Sequence, residues 1–581
     1  MKRRDVLVRQ NIPRGGESRV IDLRGMGKRS IRRIDFWYDT KALGGGRAGC
    51  DGVRDGLRPM AEDVDMIFRS PWPDIEIPER SVSEFAFEQT AQRAGAVAFI
   101  DGPSGRMLTH GQVLEMARRM ASALLRRGMR KGDVFAIFSP NLPEYVVAFH
   151  GVAMAGGVVT TASPLCTAET LAEQLGDSRA RYLLTIPAFL GVALEAAKAS
   201  GVEEVFVFGE SEGATPFAAL LANEAGPIRV DIDPARDLAA LPYSSGTTGR
   251  AKGVMLTHRN MVAMMSQLES LSGAPSEDIS LAVLPFFHCY GLLAFVSMTV
   301  RRGHACVTMP RFDFEQFLQL IERHRITSLM VVPPIVLALA KHPLVTKYDL
   351  SSVTFINSGA APLGDALQME AGQRMGVEVR QGYGMSECTL AATSRKRDND
   401  PAKPGAVGRL LPNMEARVLD VATGVDLGPN ERGELLVRGP TVMRGYLGNV
   451  QATDAAVDAD GWLHTGDVVV IDDDGEFFIV DRLKELIKVN AHQVAPALLE
   501  SLLLTHPAVA DAAVIGIANE ETGEAPKAFV VKRGDISEAE VMAHVAGHVE
   551  PYARLRAVEF VDAIPKSPAG KILRRELRQR P

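Results

Sequence analysis

Apolar and polar positions along this chain switch repeatedly between two periods. From Thr109 onward Val113, Met116, Ala117, Met120 and Leu124 recur three and four residues apart, which puts them on one face of a helix that Gly128 closes. Val134 to Phe138 is then a continuous apolar run ended by Ser139-Pro140-Asn141, which predicts a buried strand. Further along, Asp313 and Gln316 resemble a capping box for a helix from Phe314 to Arg325, and strands are predicted at Leu329 to Val332 and Val353 to Ile356. Strands that each run into a turn and a helix predict an α/β fold with a largely parallel sheet. Ligands in such sheets sit beyond the carboxyl ends of the strands, so three loops are expected near one another: 244–252, 358–362 and 381–387.

The pattern changes after Asp467. Asp472-Asp473-Asp474-Gly475 reads as a hairpin turn between short strands. Beyond it lies a compact unit: a helix Ala495 to Leu504, strands Ala512 to Ile517 and Ala528 to Val531, a helix Glu538 to Val549 and a strand Val558 to Val561. The boundary is placed at Arg482 to Lys484, giving a large domain over 60–482 and a small mobile α+β domain over 483–581. Residues 1–59 differ from both: arginine-rich, glycine-punctuated, without sustained periodicity and expected to be poorly ordered. They read either as a basic tail for an anionic partner or a targeting segment, or as the product of a start codon placed too early, with Met60 or Met66 the native start; the second reading is preferred.

A chain of 581 residues is too long for one core, which agrees with several domains. A net charge of −6 argues against nucleic acid as partner. Five scattered cysteines (Cys50, Cys166, Cys289, Cys306 and Cys388), without a CxxC pair, fit free thiols in a reducing cytoplasm. The most apolar windows, Val146 to Ala162 and Leu329 to Ala340, are broken by His150 and by Pro333-Pro334, so no membrane span is expected, and the N-terminus lacks the apolar core of a signal peptide.

Two loops carry the chemistry. Ser244-Ser245-Gly246-Thr247-Thr248-Gly249-Arg250-Ala251-Lys252-Gly253 follows the apolar run Leu238 to Tyr243. Its glycines let backbone N–H groups approach phosphate oxygens, its hydroxyls add donors and Lys252 adds a cation. It does not fit the Walker A frame. Far downstream, Pro565-Lys566-Ser567-Pro568-Ala569-Gly570-Lys571 puts a lone ammonium on a loop near the end of the chain.

With these strings, together with Gln381-Gly382-Tyr383-Gly384-Met385-Ser386-Glu387, Gly433 to Gly439, His464-Thr465-Gly466-Asp467 and Val480 to Lys488, the chain resembles the adenylate-forming superfamily of acyl-CoA synthetases and firefly luciferase, most of all the 4-coumarate–CoA ligases, over roughly Met66 to Arg578. The resemblance implies stacked, mostly parallel sheets with helices plus a distorted β-barrel in the large domain, and a small domain that rotates on a hinge. It implies ATP, Mg²⁺ and coenzyme A as cofactors and a small carboxylic acid, 4-coumarate or a related cinnamate, as substrate. By the same resemblance Ser244, Ser245, Gly246, Thr247, Thr248 and Lys252 hold phosphates. Ala360, Ala361, Pro362, Gln381, Gly382 and Tyr383 belong to the nucleotide slot, Asp467 accepts from the ribose with Arg482 beside it, and Glu387 holds Mg²⁺. Ser386 replaces the usual threonine at the α-phosphate. Lys571 steadies the charge that builds on phosphate as a carboxylate attacks.

Lys484 is the implied hinge, with Lys488 and Gln493 turned to the active site after rotation. His288 and Tyr290 line and gate the acid pocket, along with Ala294, Ala360, Gly382 and Met385. These are mostly small or apolar side chains and admit a flat aromatic or a medium-length chain. The chain also departs from the family. Asn490 and Ala491, in Val489-Asn490-Ala491-His492, replace a lysine and a glycine assigned to coenzyme A, Arg311 replaces another lysine on that side, and Ala251 replaces a proline. These changes bear on thioester formation more than on adenylation. Three readings therefore stay open: an acid–CoA ligase, an enzyme that passes its acyl group to a carrier-protein thiol, and a nucleotide-binding protein without turnover.

Overall fold

The computed structural model describes residues 66–580 apart from 245–250, 273–276, 398–399, 491, 520 and 568–569. The expectations for residues 1–59, for Ser245, Gly246, Thr247 and Thr248, and for Ala491 lie outside the described residues.

The alternating pattern resolves into two sheets of mostly parallel strands. In the first, Leu238–Ser244, Val158–Ala162, Val134–Phe138, Ala180–Thr185, Glu204–Val207 and Thr215–Pro216 run parallel in that order, and Lys252–Thr257 and Gly445–Tyr446 extend one edge antiparallel. In the second, Val379–Gln381, Phe355–Ser358, Ser328–Val331, Ile279–Ala282, Ala305–Thr308 and Val97–Asp101 are parallel, closed by antiparallel Met107–Thr109. The helices between them are apolar on more than one face. Pro143–Met154 buries ten of its twelve residues, as a helix sandwiched between sheets must. Burial holds the His150 imidazole inside this layer neutral, down at about 3.

A third sheet, Phe68–Arg69, Glu415–Leu419, Arg432–Arg438, Leu463–Ile471 and Phe477–Arg482, is wholly antiparallel and forms a curled half-barrel, the part expected as a distorted barrel. The residues that follow build their own apolar core around Leu499, Leu503, Val514, Val530 and Val545.

Local signals predicted element type better than element ends. The helix His110–Arg126 has Thr109 and Gln112 in a reciprocal capping box. At Phe314–His324 the box is only half made: Asp313 accepts from the Gln316 N–H, and no return bond from the Gln316 side chain forms. The predicted strand at Val353 begins two residues later, at Phe355, because Val353 N–H is held in a turn by Leu350. The helix expected to reach Val549 is Glu538–Ala546, and Gly547 ends it. The two short strands expected near Ala512 and Ala528 are the arms of one long hairpin, Val509–Asn519 with Gly523–Lys532. Among the described residues no helix is long and apolar enough to cross a membrane.

Candidate active site

At the carboxyl ends of the parallel strands lies a cavity of about 970 Å³. The three loops expected there do meet, and the loop from the far end of the chain joins them.

The first anchor is a hairpin. Ser244 and Lys252 are register partners across the mouth of the phosphate-loop string. Ser244 Oγ donates to Glu387 Oε1 at 2.9 Å, and the Tyr446 hydroxyl donates to the same oxygen at 2.9 Å. Lys252 Nζ rides 4.7 Å over the Tyr446 ring. Tyr446 was not foreseen. It reaches the cavity because Gly445–Tyr446 pairs with the outgoing strand of that hairpin, a long-range pairing with no local signal. Glu387 is 6% exposed, and among the described residues its Oε2 takes no hydrogen bond.

The second anchor is a cross-strand pair of the half-barrel. Asp467 and Arg482 face each other in register, Arg482 Nε lies 3.2 Å from Asp467 Oδ1, and the Tyr383 hydroxyl donates to Oδ2 at 2.6 Å. Burial raises the Asp467 carboxyl above the usual range, while Arg482 and Tyr383 hold it back. Burial and the adjacent carboxylate push the Tyr383 phenol far up, so it remains a donor. Tyr383 is aimed by the turn after it: a Cβ on Gly384 would meet the Leu390 carbonyl oxygen at 1.9 Å, so only glycine lets this segment fold back.

Lys571 enters from the small unit. Its loop is closed by Ser567 N–H donating to the Lys571 carbonyl at 2.8 Å, and Gly570, with φ +78°, packs against Val332 and Pro334. Burial, with Arg482 nearby, lowers the Lys571 ammonium, while Asp467 and Glu387 act in the opposite sense. His288 lines the same space. Its Nδ1 accepts from the Tyr290 N–H at 3.4 Å, and burial together with Lys571 holds it down at about 4, hence neutral at physiological pH. The Tyr290 hydroxyl accepts from Asn357 at 3.0 Å, and burial pushes it up to about 12. Ala294 lies in a π-helical turn, Leu292–Ser297.

Not every expected residue is here. Ser386, Met385, Gly382, Ala360 and Lys484 line the cavity. Ala361 and Pro362 do not. Gln381 faces away: alternation along its strand turns Arg380 and Gly382 to the cavity, and the Gln381 amide donates to Leu363 O and to Gln368. Lys488, Gln493 and Arg311 are exposed and outside the cavity, and Asn490 sits at φ 53° in the turn between Ile487–Val489 and His492–Val494. In this arrangement the small unit presents Lys571, and Lys488 and Gln493 lie on another face.

The family described as AMP-binding enzyme matches residues 86–447, and its C-terminal domain matches 498–571. The chain belongs to the AMP-binding enzymes. Among relatives of this AMP-binding enzyme, 4-coumarate–CoA ligase 5 of Oryza sativa subsp. japonica is 43% identical over 527 residues, 88% of this chain and 97% of that protein. The solved structure of ATP-bound MatB from Rhodopseudomonas palustris superposes with a TM-score of 0.78 at 30% identity, covering 86% of this chain and 99% of that one. The anthranilate CoA ligase AuaEII in complex with anthranoyl-AMP gives 0.80 at 26% identity, covering 87% and 97%. Residues 2–51 match a domain of unknown function.

Proposed function

We propose that this AMP-binding enzyme is an acid–CoA ligase that converts an extended carboxylic acid, of the 4-coumarate or cinnamate type, into its coenzyme A thioester with release of AMP and pyrophosphate. One observation carries the reading: Lys571, more than three hundred residues downstream of Lys252, opens into the cavity that is also lined by Lys252, Glu387 and Tyr383, whose hydroxyl donates to Asp467.

In the first step the acid's carboxylate oxygen bonds to the α-phosphorus of ATP and the bond to pyrophosphate breaks. Negative charge grows on the phosphate oxygens, and a desolvated ammonium at Lys571 stabilises that charge more in the transition state than in the ground state. Lys252 and the hydroxyls of the Ser244 loop hold the departing phosphates. Asp467, fixed by Arg482 and Tyr383, accepts from the ribose hydroxyls. Glu387, with an oxygen left over, fits Mg²⁺, which favours one or two carboxylates plus phosphate oxygens and would neutralise phosphate charge there; among the described residues no larger cluster of His, Cys, Asp and Glu could hold a metal. In the second step the coenzyme A thiol loses its proton, its sulfur bonds to the acyl carbon, and the bond to AMP breaks. His288 is neutral, and its Nδ1 is the acceptor of the Tyr290 N–H, so its Nε2 carries the proton and can donate toward the acid's carbonyl.

Lys488 and Gln493 need a rotation of the unit from residue 483 onward to reach this cavity, with Lys484 as the hinge. The separate apolar core of that unit lets it turn as a body. The described cysteines are free thiols, three of them buried, which fits a reducing cytoplasm.

The test is AMP release with 4-coumarate, with and without coenzyme A. Thioester formed with coenzyme A supports the ligase. Pyrophosphate exchange without thioester would point to a carrier-protein thiol as acceptor. No exchange with any acid would reduce the protein to a nucleotide binder.

A further inference from the structure

Of the arginines that line the cavity without a role in the reaction described above, Arg380, Arg395 and Arg397 each pair with a carboxylate, and among the described residues Arg302 pairs with none. Arg302 lines the cavity at the end of the helical run that begins with Cys289, and is continuous through Leu292–Ser297 and Met298–Arg302. Its Nη2 donates to the Leu268 carbonyl at 2.9 Å and to the Ser272 hydroxyl, both neutral acceptors. Its Nε is buried and has no partner. The two nearest carboxylates are engaged elsewhere: Glu269 pairs with Arg301 at 2.9 Å, and Asp278 pairs with Arg397. Among the described residues no carboxylate lies within salt-bridge distance of Arg302. Burial draws its guanidinium down to about 10, so it stays charged at neutral pH.

Arg302 is half-buried, and Glu269 and Asp278 act on its charge only from beyond pairing distance, so a ligand that brought a directly paired counter-charge would be favoured. The position says which part of the ligand that is. His288 and Cys289, at the start of the run, neighbour Lys571 and Glu387. Thirteen residues on, at about 1.5 Å per residue, Arg302 lies roughly 20 Å further along the helix. Long side chains on helices lean back toward the helix N-terminus, and a lean of that kind leaves a span of roughly 10–14 Å between the reacting carboxylate and the guanidinium. Met298 and Phe355 line the same cavity. Arg380 and Arg397 lie 5.9 and 4.9 Å from the centre of the Phe355 ring, so this end of the cavity is also cationic. A cavity with a reaction centre at one end and, among the described residues, a guanidinium without a salt-bridge partner at the other suits an acid that is anionic at both ends.

We propose that Arg302 is a second-anion subsite, and that the preferred substrate is an extended acid bearing a second carboxylate at its far end. Nη2 is taken by Leu268 and Ser272 and Nε is buried, which leaves Nη1 to donate to a carboxylate oxygen, a charge-assisted bond that a neutral hydroxyl or methyl group cannot match. Because the group is distant from the phosphates, it sorts acids without taking part in adenylation. This inference rests on the ligase reading.

The full chain is assayed by ATP–pyrophosphate exchange with two matched sets: 4-carboxycinnamate against 4-coumarate and cinnamate, and decanedioate against decanoate. Wild type is expected to give the higher kcat/KM for the diacid in at least one set. Arg302→Met is expected to lower kcat/KM for that diacid by about 10²–10³, through KM, while exchange with the matching monoacid stays within about threefold. Arg302→Lys, which keeps the charge and moves the donor, is expected to fall between. A wild type that favours the monoacid in both sets overturns the proposal and leaves the ligase reading standing, as does an Arg302→Met variant that slows diacid and monoacid alike. Should Arg302→Met not fold, Arg302→Lys decides: a selective rise in diacid KM supports the subsite, and an equal effect on both acids overturns it. No exchange with any acid removes the ligase reading, and this inference with it.

Discussion

Replacing Lys571 by alanine removes an ammonium that reaches the phosphate cavity through chain topology alone. Its neighbours determine the size of the effect. Lys252 is held over the Tyr446 ring, and Arg482 is paired with Asp467, so neither cation is free to shift into the gap. The full contribution of one transition-state contact should therefore be lost, about 10²–10³ in adenylation rate, equivalent to about 2.7–4 kcal/mol. Folding should be unaffected, because the loop is closed by the Lys571 backbone and packed through Gly570, and among the described residues the lysine side chain makes no hydrogen bond or ion pair. The assay separates the steps: ATP–pyrophosphate exchange reads adenylation, and thioester formation from a preformed acyl-adenylate reads the second half. Only the first should drop. The sign of the pH effect also follows. Burial lowers the folded-state lysine pKa, so the adenylation rate should fall at a lower pH than ordinary lysine titration would give, and that alkaline limb should vanish in Lys571→Ala. A bound triphosphate favours the ammonium, so on that alkaline limb ATP binding should take up protons, measurable as a buffer-dependent heat. Exchange within about threefold of wild type, with the alkaline limb intact, would refute the assignment.

Other predictions follow from the same geometry. Tyr383→Phe removes the hydrogen bond to Asp467 and should weaken ATP binding by about ten- to a hundredfold, read as KM for ATP, with the acid KM unchanged. Lys488→Ala should leave pyrophosphate exchange near wild type and slow thioester formation, since Lys488 is exposed outside the cavity in this arrangement; equal loss in both steps would count against a rotating unit. Buried His150 and half-buried His288, held at about 3 and about 4, bind protons more weakly folded than unfolded, so stability should fall as pH drops from about 6.5 toward 4; a denaturant midpoint flat across that window would contradict their neutrality in the folded protein.

The period of the apolar pattern was enough to read the alternation of strand and helix, because side-chain burial imposes it locally: Val134–Phe138 and the Thr109-capped helix need no distant partner to be recognised. Site residues carried by motifs were legible for a related reason. Gly384 must be glycine to pass the Leu390 carbonyl, and Ser244, Lys252, Glu387 and Asp467 belong to dense strings of unusual residues. Strand ends in the small unit were less legible, since the length of the Val509–Lys532 hairpin depends on cross-strand pairing that no window of sequence contains.

Sequence alone therefore determined the α/β class and picked out the motif strings, the one near the far end with Lys571 among them, whose residues line one cavity. Tertiary structure decided which groups meet. It brought Tyr446 onto Glu387, turned Gln381 out of the cavity, presented Lys571 instead of Lys488, and left Arg302, among the described residues, without a carboxylate within salt-bridge distance. Residue type sets what a side chain can donate or accept. Only packing of elements distant in the chain sets its partner, its solvation and hence its charge.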